Sequence, residues 1–253
     1  MTTDQTDSPD LVPGVNTGLA GRCATWLEIA AVVVLFSAPT FASLTRSMFS
    51  DVEPEKTNSK RRHFESQTPA QFAAAELKSS ILRLRLVPVI LFVMWRSGMR
   101  WSRFGFVKPR LVRDVLLGLG IWLTIAILDG LIAWTFARRH PWFGLWPDSV
   151  PWAYVLPLVG QCCVVGFAEE VEMRAYLIPR LEAVLGATWA SVVLAILVFG
   201  FVHLSKGYVG VLHSLSAATV WSLAFCFTRR IWPLVISHAF LDFVVGSHLG
   251  GGS

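Results

Sequence analysis

Long apolar segments dominate the 253-residue chain and constrain its fold more than any other feature. A helix that crosses the hydrocarbon core of a bilayer needs about 20 predominantly apolar residues. Segments near this length recur along the sequence, at 23–44, 69–95, 111–136, 151–168, 187–203, 210–227 and 233–249. Because backbone polar groups in lipid must be satisfied internally, such segments form helices. We therefore predict an all-α polytopic integral membrane protein with about seven to eight transmembrane helices.

The composition agrees with lipid as the main solvent of this chain. Hydrophobic residues make up 54% of the sequence and charged residues only 15%, whereas about a quarter is usual for soluble domains. This composition excludes an intrinsically disordered chain and a disulfide-stabilised secreted module. The net charge of +5 does not indicate a nucleic acid partner, because the basic residues flank the apolar segments, where they contact lipid headgroups. We therefore predict membrane lipid as a partner and no nucleic acid.

Composition also divides the chain into four stretches. Residues 1–22 form a polar tail without the positive n-region of a secretory signal, so the apolar run that follows is predicted to be retained as the first span. This span and a polar loop occupy 23–67, the main membrane domain occupies 68–249, and 250–253 form a C-terminal tail.

The start of the main domain has a clear helix signal. Thr68 is a suitable N-cap, and Pro69 suits the first helical position. We expect one helix from here to about Trp95. Arg83 and Arg85 lie where this helix enters the bilayer, so their side chains are expected to extend to the headgroups.

The basic residues favour an orientation with the N-terminus inside. The basic loop at 96–113 and the pair Arg229-Arg230 then lie on the cytoplasmic side, as the positive-inside rule prefers. The loop at 46–79 lies on the opposite side with basic residues of its own, so the rule is satisfied only in part. We expect a multi-pass protein of the cell membrane, plasma or inner.

Two lone acids, Glu28 and Asp129, lie within predicted spans. An ionisable residue in a membrane helix is costly to bury and is by default a functional candidate. Neither acid has a partner that the sequence identifies. We interpret both as interior or interfacial groups that a neighbouring side chain satisfies.

A denser polar cluster follows the fourth apolar segment. Glu170 and Arg174 are four residues apart, in the order that favours an ion pair on a helix. Glu169 is turned about 100° from Glu170, so it is predicted to stay uncommitted and able to act on water. Two carboxylates in different environments can take different roles. The alternative is a solvated helix end, against which the apolar residues 176–178 argue.

Two further polar pairs lie in later apolar segments. Phe199 and His203 share one helical face at the end of one segment. His238 and Asp242 are four residues apart in the last segment, where the Asp can fix the tautomer of the imidazole. A helix cap and a purely structural His–Asp pair are the respective alternatives.

Taken together, these groups predict a shared polar cavity. An uncommitted Glu, two His and an Asp arise on three helices whose other faces are apolar. Because burying them separately is costly, the cheapest fold brings them together around water. A carboxylate base beside water, with imidazoles that donate to a developing oxyanion, is suited to amide hydrolysis.

The three motifs resemble those of the CPBP family, the CAAX proteases and bacteriocin-processing enzymes also called Abi, which are intramembrane glutamate endopeptidases. The family pattern is E-E-x-x-x-R, then F-x-x-x-H, then H-x-x-x-N or D, on successive membrane helices. This chain has all three in that order, and the resemblance covers roughly residues 70–249. It implies an endopeptidase that cleaves membrane-associated proteins or peptides.

The resemblance also implies roles for the first two motifs. Glu169 would be the general base that activates water. Glu170 would pair with Arg174 and hold the helix, and Phe199 would support the site. Ala175 follows the arginine where the family often has Gly, a change that affects packing rather than chemistry.

The remaining roles concern the imidazoles and the last acid. His203 and His238 would position the water or stabilise the oxyanion. Asp242 takes the place usually held by Asn, and an ionised Asp cannot donate a hydrogen bond to an oxyanion. Asp242 would therefore orient His238, stay protonated or help to ligate a cation.

Metal dependence and catalysis itself stay open at the level of the sequence. Glu169, His203, His238 and Asp242 are residue types that zinc accepts, although a Glu169 that ligates metal cannot also be the free base. The resemblance implies a glutamate mechanism without a bound metal or other cofactor, and a zinc-dependent variant is the alternative. The same polar residues are also compatible with a non-catalytic immunity or scaffold protein of the same fold and with an ion-coupled transporter.

Overall fold

The computed structural model describes residues 19–49, 67–137 and 152–248. Helices make up all the regular structure in these ranges, which contain no strand. The α-helices are α1 (Leu19–Phe49), α2 (Pro69–Leu84), α3 (Val87–Arg96), α4 (Leu111–Ile132), α5 (Trp152–Glu170), α6 (Ile178–Leu185), α7 (Thr188–Val202), α8 (Gly207–Thr228) and α9 (Trp232–His248). The predicted all-α class is confirmed.

Four helical stretches are long and apolar enough to cross a membrane: Leu19–Ala42, Leu111–Phe136, Trp152–Leu185 and Leu204–Thr228. Two shorter apolar helices, Thr188–Val202 and Trp232–Val245, accompany them. These findings support an integral membrane protein with several spans. The count of seven to eight spans and the identity of the membrane stay predictions.

The start of α2 is as predicted, but its extent is not. The Thr68 side chain accepts a hydrogen bond from the backbone N–H of Gln71, whose side chain accepts one from the Thr68 N–H. The expected continuous helix to Trp95 is instead divided into α2 and α3. Pro88 has no N–H to bond to the carbonyl four residues earlier, so the helix breaks in the turn before it.

Two glycines allow α9 to pack closely against α4 and α5. At Gly166 of α5, a Cβ atom would lie 3.0 Å from the backbone nitrogen of Ala239 and 3.3 Å from the Cβ of His238. At Gly118 of α4, it would lie 2.9 Å from the carbonyl oxygen of Pro233. The small residue at 166 thus lets the backbone that bears His238 approach the helix that bears the paired glutamates.

One end of the helix bundle collects basic residues. Arg230 donates two hydrogen bonds to the buried carboxylate of Asp114 and a third to the carbonyl of Lys108. The basic loop and the Arg229-Arg230 pair therefore lie at the same end, as the N-in orientation requires. The orientation itself stays a prediction.

The two lone acids within spans have partners, as the sequence interpretation required. Arg180 donates to both carboxylate oxygens of Glu28, at 2.8 and 3.0 Å, and the Tyr176 hydroxyl donates to one of them at 3.0 Å. The Nδ1 atom of His213 lies 2.9 Å from a carboxylate oxygen of Asp129. These acids belong to contacts between helices rather than to the predicted site.

Replacing Glu28 with leucine should lower the stability of the protein, because the buried Arg180 guanidinium would lose its carboxylate. Breaking one side of a buried ion pair costs about 3–5 kcal/mol, whereas replacing both partners with apolar residues is often neutral. We expect E28L to lower the unfolding temperature in detergent and E28L/R180M to recover most of the loss. An equal loss in both variants would contradict this account.

Candidate active site

A π-helical segment, Val171–Leu177, follows α5 directly and aligns the polar cluster inside the protein. Such segments are rare and occur frequently at functional sites. Glu169, Glu170 and Arg174 are all buried, at 4%, 0% and 1% exposure. The interpretation of a solvated helix end is therefore wrong, as the continuing apolar sequence indicated.

Glu170 lies at the centre of a buried network. Its Oε1 atom accepts a hydrogen bond from Nη1 of Arg174 at 3.0 Å and another from Nδ1 of His238 at 2.8 Å. The predicted ion pair between Glu170 and Arg174 is present, with His238 as a third member that the sequence did not assign to it. An ionised carboxylate can only accept, so Nδ1 of His238 carries the proton.

The arginine of this network is held by aromatic rings as well as by charge. Its guanidinium carbon lies 4.7 Å from the ring centre of Phe199 and 5.1 Å from that of Trp221. The Nη2 group of Arg174 also donates to the carbonyl of Ala218. Cation–π contacts of this kind are strongest when they are shielded from water. Phe199 therefore has a definite place in the site, as a platform for the arginine.

His238 is held by a stacked ring and has carboxylates near its Nε2 atom. Its ring stacks on Trp221, with ring centres 4.2 Å apart and planes 17° apart. Its Nε2 atom lies 3.7 Å from a carboxylate oxygen of Glu169 and 3.7 Å from one of Asp242. The expectation that Asp242 fixes the tautomer is wrong in this arrangement, because 3.7 Å is too long for a hydrogen bond. Glu170 fixes the tautomer instead.

Glu169 has a partner that the sequence analysis did not foresee. Its Oε1 atom lies 2.7 Å from Nη2 of Arg83 in α2. The expectation of an uncommitted carboxylate is therefore wrong, and so is the expectation that Arg83 extends to the headgroups. Burying a lone carboxylate is expensive, and α2 packs against α5, which brings this cation within reach. Arg85 is exposed, in agreement with its predicted position.

His203 caps the C-terminal end of α7 and interacts electrostatically with the same acid. Its Nδ1 atom lies 2.8 Å from the carbonyl oxygen of Phe199, so Nδ1 again carries the proton. The rings of Phe199 and His203 lie 4.5 Å apart, as their shared face predicted. The imidazole interacts electrostatically with Glu169 and with His238. The Nε2 atom of His203 is therefore available to a bound molecule.

The structure thus brings the four predicted catalytic residues into one electrostatically coupled group, which also includes Glu170 and Arg174. They come from α5 with the π-helical segment that follows it, from α9 and from the C-terminal end of α7. An open apolar groove of about 380 Å³, between α8 and the C-terminal end of α4 with the residues that follow it, is lined by none of these residues. The predicted water-filled cavity and the catalytic roles stay predictions.

Three residues of the site were missed by sequence analysis. Arg83 was interpreted as a headgroup contact, and Ser237, which accepts a hydrogen bond from Nε1 of Trp221 at 3.1 Å, drew no attention. Trp221 offered a usable signal. Tryptophan in membrane proteins concentrates at the interface, so one in the middle of a span indicates an interior role. Glu172 lies in the π-helical segment and is also buried, at 3% exposure.

The donor set does not fit a metal ion in this arrangement. Within the described ranges, no three or more His, Cys, Asp or Glu side chains form a group that could hold one. The Arg83 cation also contacts one carboxylate oxygen of Glu169, Oε1. The zinc-dependent variant therefore gains no support from the geometry.

Residues 151–244 match a family model described as Type II CAAX prenyl endopeptidase Rce1-like. This segment is therefore similar to the Rce1-like family. It contains all three polar motifs, and it supports the resemblance to CAAX proteases. It also supports a peptidase-type hydrolase embedded in the membrane. No curated protein and no solved structure matches the chain.

The Rce1-like segment is shorter than the resemblance drawn from the motifs. It spans less than half of the chain and begins after α1–α4, so Arg83 lies outside it. The domain boundary predicted at residue 68 stays a prediction. The contact between Arg83 and Glu169 therefore joins the Rce1-like segment to a helix that precedes it.

Arg174→Lys should destabilise the protein although it keeps the charge. A lysine ammonium cannot lie flat between Phe199 and Trp221 while it also bonds to Glu170, because it lacks the planar guanidinium. We expect a fall of about 2–4 kcal/mol in stability, measured as a lower unfolding temperature in detergent, in the range of a broken buried network. Arg85→Lys is the same substitution at an exposed arginine, and it should leave the unfolding temperature unchanged. An unchanged R174K variant would contradict the platform role of the rings.

Proposed function

We propose that this chain is an intramembrane endopeptidase that hydrolyses peptide bonds of membrane-associated proteins or peptides, with Glu169 as the base that activates water. The observation that carries this proposal is a buried carboxylate that lies 3.7 Å from Nε2 of His238 and interacts electrostatically with His203, inside an Rce1-like segment. The family description, Type II CAAX prenyl endopeptidase Rce1-like, supports the proposed substrate class. Prenylated tails are therefore the first substrates to test.

The proposed reaction begins with water between Glu169 and the carbonyl carbon of the scissile bond. Glu169 takes a proton as the water oxygen bonds to that carbon, and the carbonyl oxygen becomes an oxyanion. The C–N bond then breaks, and Glu169 returns the proton to the leaving amine. The products are a carboxylic acid and an amine, so atoms and charge balance. General base catalysis of this kind contributes about 10²–10⁴-fold to a rate.

The role of each imidazole in this scheme depends on which of its nitrogens carry a proton. His203 and His238 each carry a proton on Nδ1, which is bonded to Phe199 and Glu170 respectively. In the neutral ring, Nε2 accepts a hydrogen bond, which suits positioning of the water. Donation to the oxyanion requires a second proton on Nε2. The carboxylates near Nε2 of His238 complement such a charge, so we assign His238 to the oxyanion and His203 to the water.

The second glutamate has a separate task. Glu170 is fully buried and bonded to Arg174 and His238, so it is unable to approach water. Its position fixes the ring of His238 and the end of α5. We therefore assign Glu169 to the chemistry and Glu170 to positioning, a division that follows from their different partners.

Glu169→Gln and His203→Ala should each abolish cleavage while the protein still inserts and folds. A neutral amide cannot take the proton, so we expect a loss of at least about 100-fold in kcat/KM. The measurement is cleavage of quenched fluorescent peptides with a farnesylated cysteine three residues before the C-terminus, by protein in liposomes. Unprenylated versions of the same peptides test whether the prenyl group is needed.

The matched control is Glu182→Gln, the same substitution at an acid that pairs with Arg229 outside the proposed site. It should cleave as fast as the parent. Parallel assays with a chelator test the zinc-dependent variant, since a glutamate mechanism is insensitive to it. Full cleavage by E169Q would overturn the proposed mechanism, and liposome ion flux without any cleavage would favour an ion-coupled transporter.

Asp242→Asn should retain at least about a third of the parent activity. Asp242 lies too far from Nε2 of His238 to hold it by a hydrogen bond, and an amide keeps the shape and gains a donor for the oxyanion. Asp242→Leu, which keeps the approximate volume but loses polarity, should reduce kcat by about tenfold or more. The measurement is the kcat of each variant at saturating peptide. A loss in D242N as large as that in D242L would mean that the negative charge itself is needed.

A further inference from the structure

We propose that Arg83 is the residue that recognises a carboxylate of the substrate, and that this binding releases Glu169 for catalysis. The inference rests on the proposed function of Glu169 and adds a specificity residue from outside the Rce1-like segment. In the protein without substrate, Arg83 and Glu169 satisfy each other. In the complex, Arg83 pairs with the C-terminal carboxylate of the peptide instead.

The contact itself creates the need for such an exchange. Nη2 of Arg83 lies 2.7 Å from Oε1 of Glu169, which is a close ion pair. A carboxylate paired with a guanidinium is a weaker base, because the nearby positive charge stabilises the charged form that must accept the proton. A base in this state is poorly suited to take a proton from water. Catalysis is therefore favoured once the cation has another anion to bind.

Arg83 is also placed to meet a ligand. Its side chain is 40% exposed, whereas that of Glu169 is 5% exposed, so the guanidinium reaches the buried acid from the outside. It lies next to the last residue of α2, Leu84, before the turn that separates α2 from α3. A side chain near a helix end with this exposure can turn from Glu169 to a bound molecule, and the buried Glu169 carboxylate, without this cation, then becomes a stronger base.

The charged groups that interact with Arg83 are acids. A substrate anion can therefore bind Arg83 only by taking the place of one of them. Arg83 interacts electrostatically with Glu172 and Asp242 as well as with Glu169. A substrate carboxylate that approached Glu169 without a cation would meet three acids. The Arg83 guanidinium removes this repulsion, so it explains how a site rich in glutamate can accept the free end of a peptide chain.

The test compares two forms of one substrate. The farnesylated quenched peptides are made with a C-terminal acid and, separately, with a C-terminal amide, and kcat and KM are measured for each in liposomes. The parent should prefer the acid by about tenfold or more, the effect of one charge-assisted hydrogen bond. Arg83→Gln should lose this preference, so that the acid and amide forms are cleaved at similar rates.

The amide form separates recognition from folding. R83Q should cleave it at least as well as the parent does, since Glu169 is no longer bound to a cation, and this activity also reports an intact fold. Arg83→Lys, which keeps the charge, should restore part of the preference for the acid. Arg85→Gln removes an exposed positive charge two residues away and should leave the preference unchanged.

Each outcome is decisive. A parent that cleaves acid and amide equally, or an R83Q variant that keeps the parent's preference, overturns the role of Arg83 while the proposed peptidase function stands. If R83Q unfolds, the preference for the acid over the amide form is compared between the parent and R83K, and this comparison decides the role of Arg83. Failure of the parent to cleave either form overturns the proposed function and this inference with it.

Discussion

The hydrogen bonds of Glu170 to Arg174 and His238 are the interaction on which the rest of the site depends. This carboxylate is fully buried in a protein whose exterior is largely apolar, so its charge has to be compensated from inside. Arg174 provides the charge and His238 takes the remaining hydrogen bond to the same oxygen. The bond fixes the proton on Nδ1 of His238, and it thereby directs Nε2 toward the neighbouring Glu169. The orientation of the imidazole thus follows from the way in which the first charge is compensated.

Close packing of aromatic rings makes this arrangement rigid. Trp221 stacks on His238 and contributes, with Phe199, to the platform under Arg174. Phe199 in turn lies against the ring of His203. One continuous set of rings therefore connects both imidazoles through the arginine that pairs with Glu170. Such a network excludes water from the paired charges and preserves the separation between the glutamate that positions and the glutamate proposed to react.

The sequence predicts what depends on spacing within one helix, and it fails where the partner lies on another helix. The pairs Glu170–Arg174 and Phe199–His203 follow from a separation of four residues and are present. The same rule predicted contact of His238 with Asp242 but could not reveal that Glu170, on another helix, binds Nδ1 of the ring. The cost of burying polar groups separately indicated that acids and imidazoles from different helices would meet. It could not indicate which arginine would join them, because lipid headgroups satisfy an arginine near a helix end equally well.

Comparison of the arginine–carboxylate pairs separates Arg83 from the others. Arg180, Arg229 and Arg230 each donate to both oxygens of one carboxylate, and Arg174 is enclosed by two rings and a carbonyl. These geometries hold both partners in place, as bidentate and stacked guanidinium groups generally do. Arg83 makes a single contact with Glu169, and at 40% exposure it is the most exposed of the five. The other four arginines are thus each held by several contacts, whereas the pair at the proposed base depends on one contact, as the exchange that we propose requires.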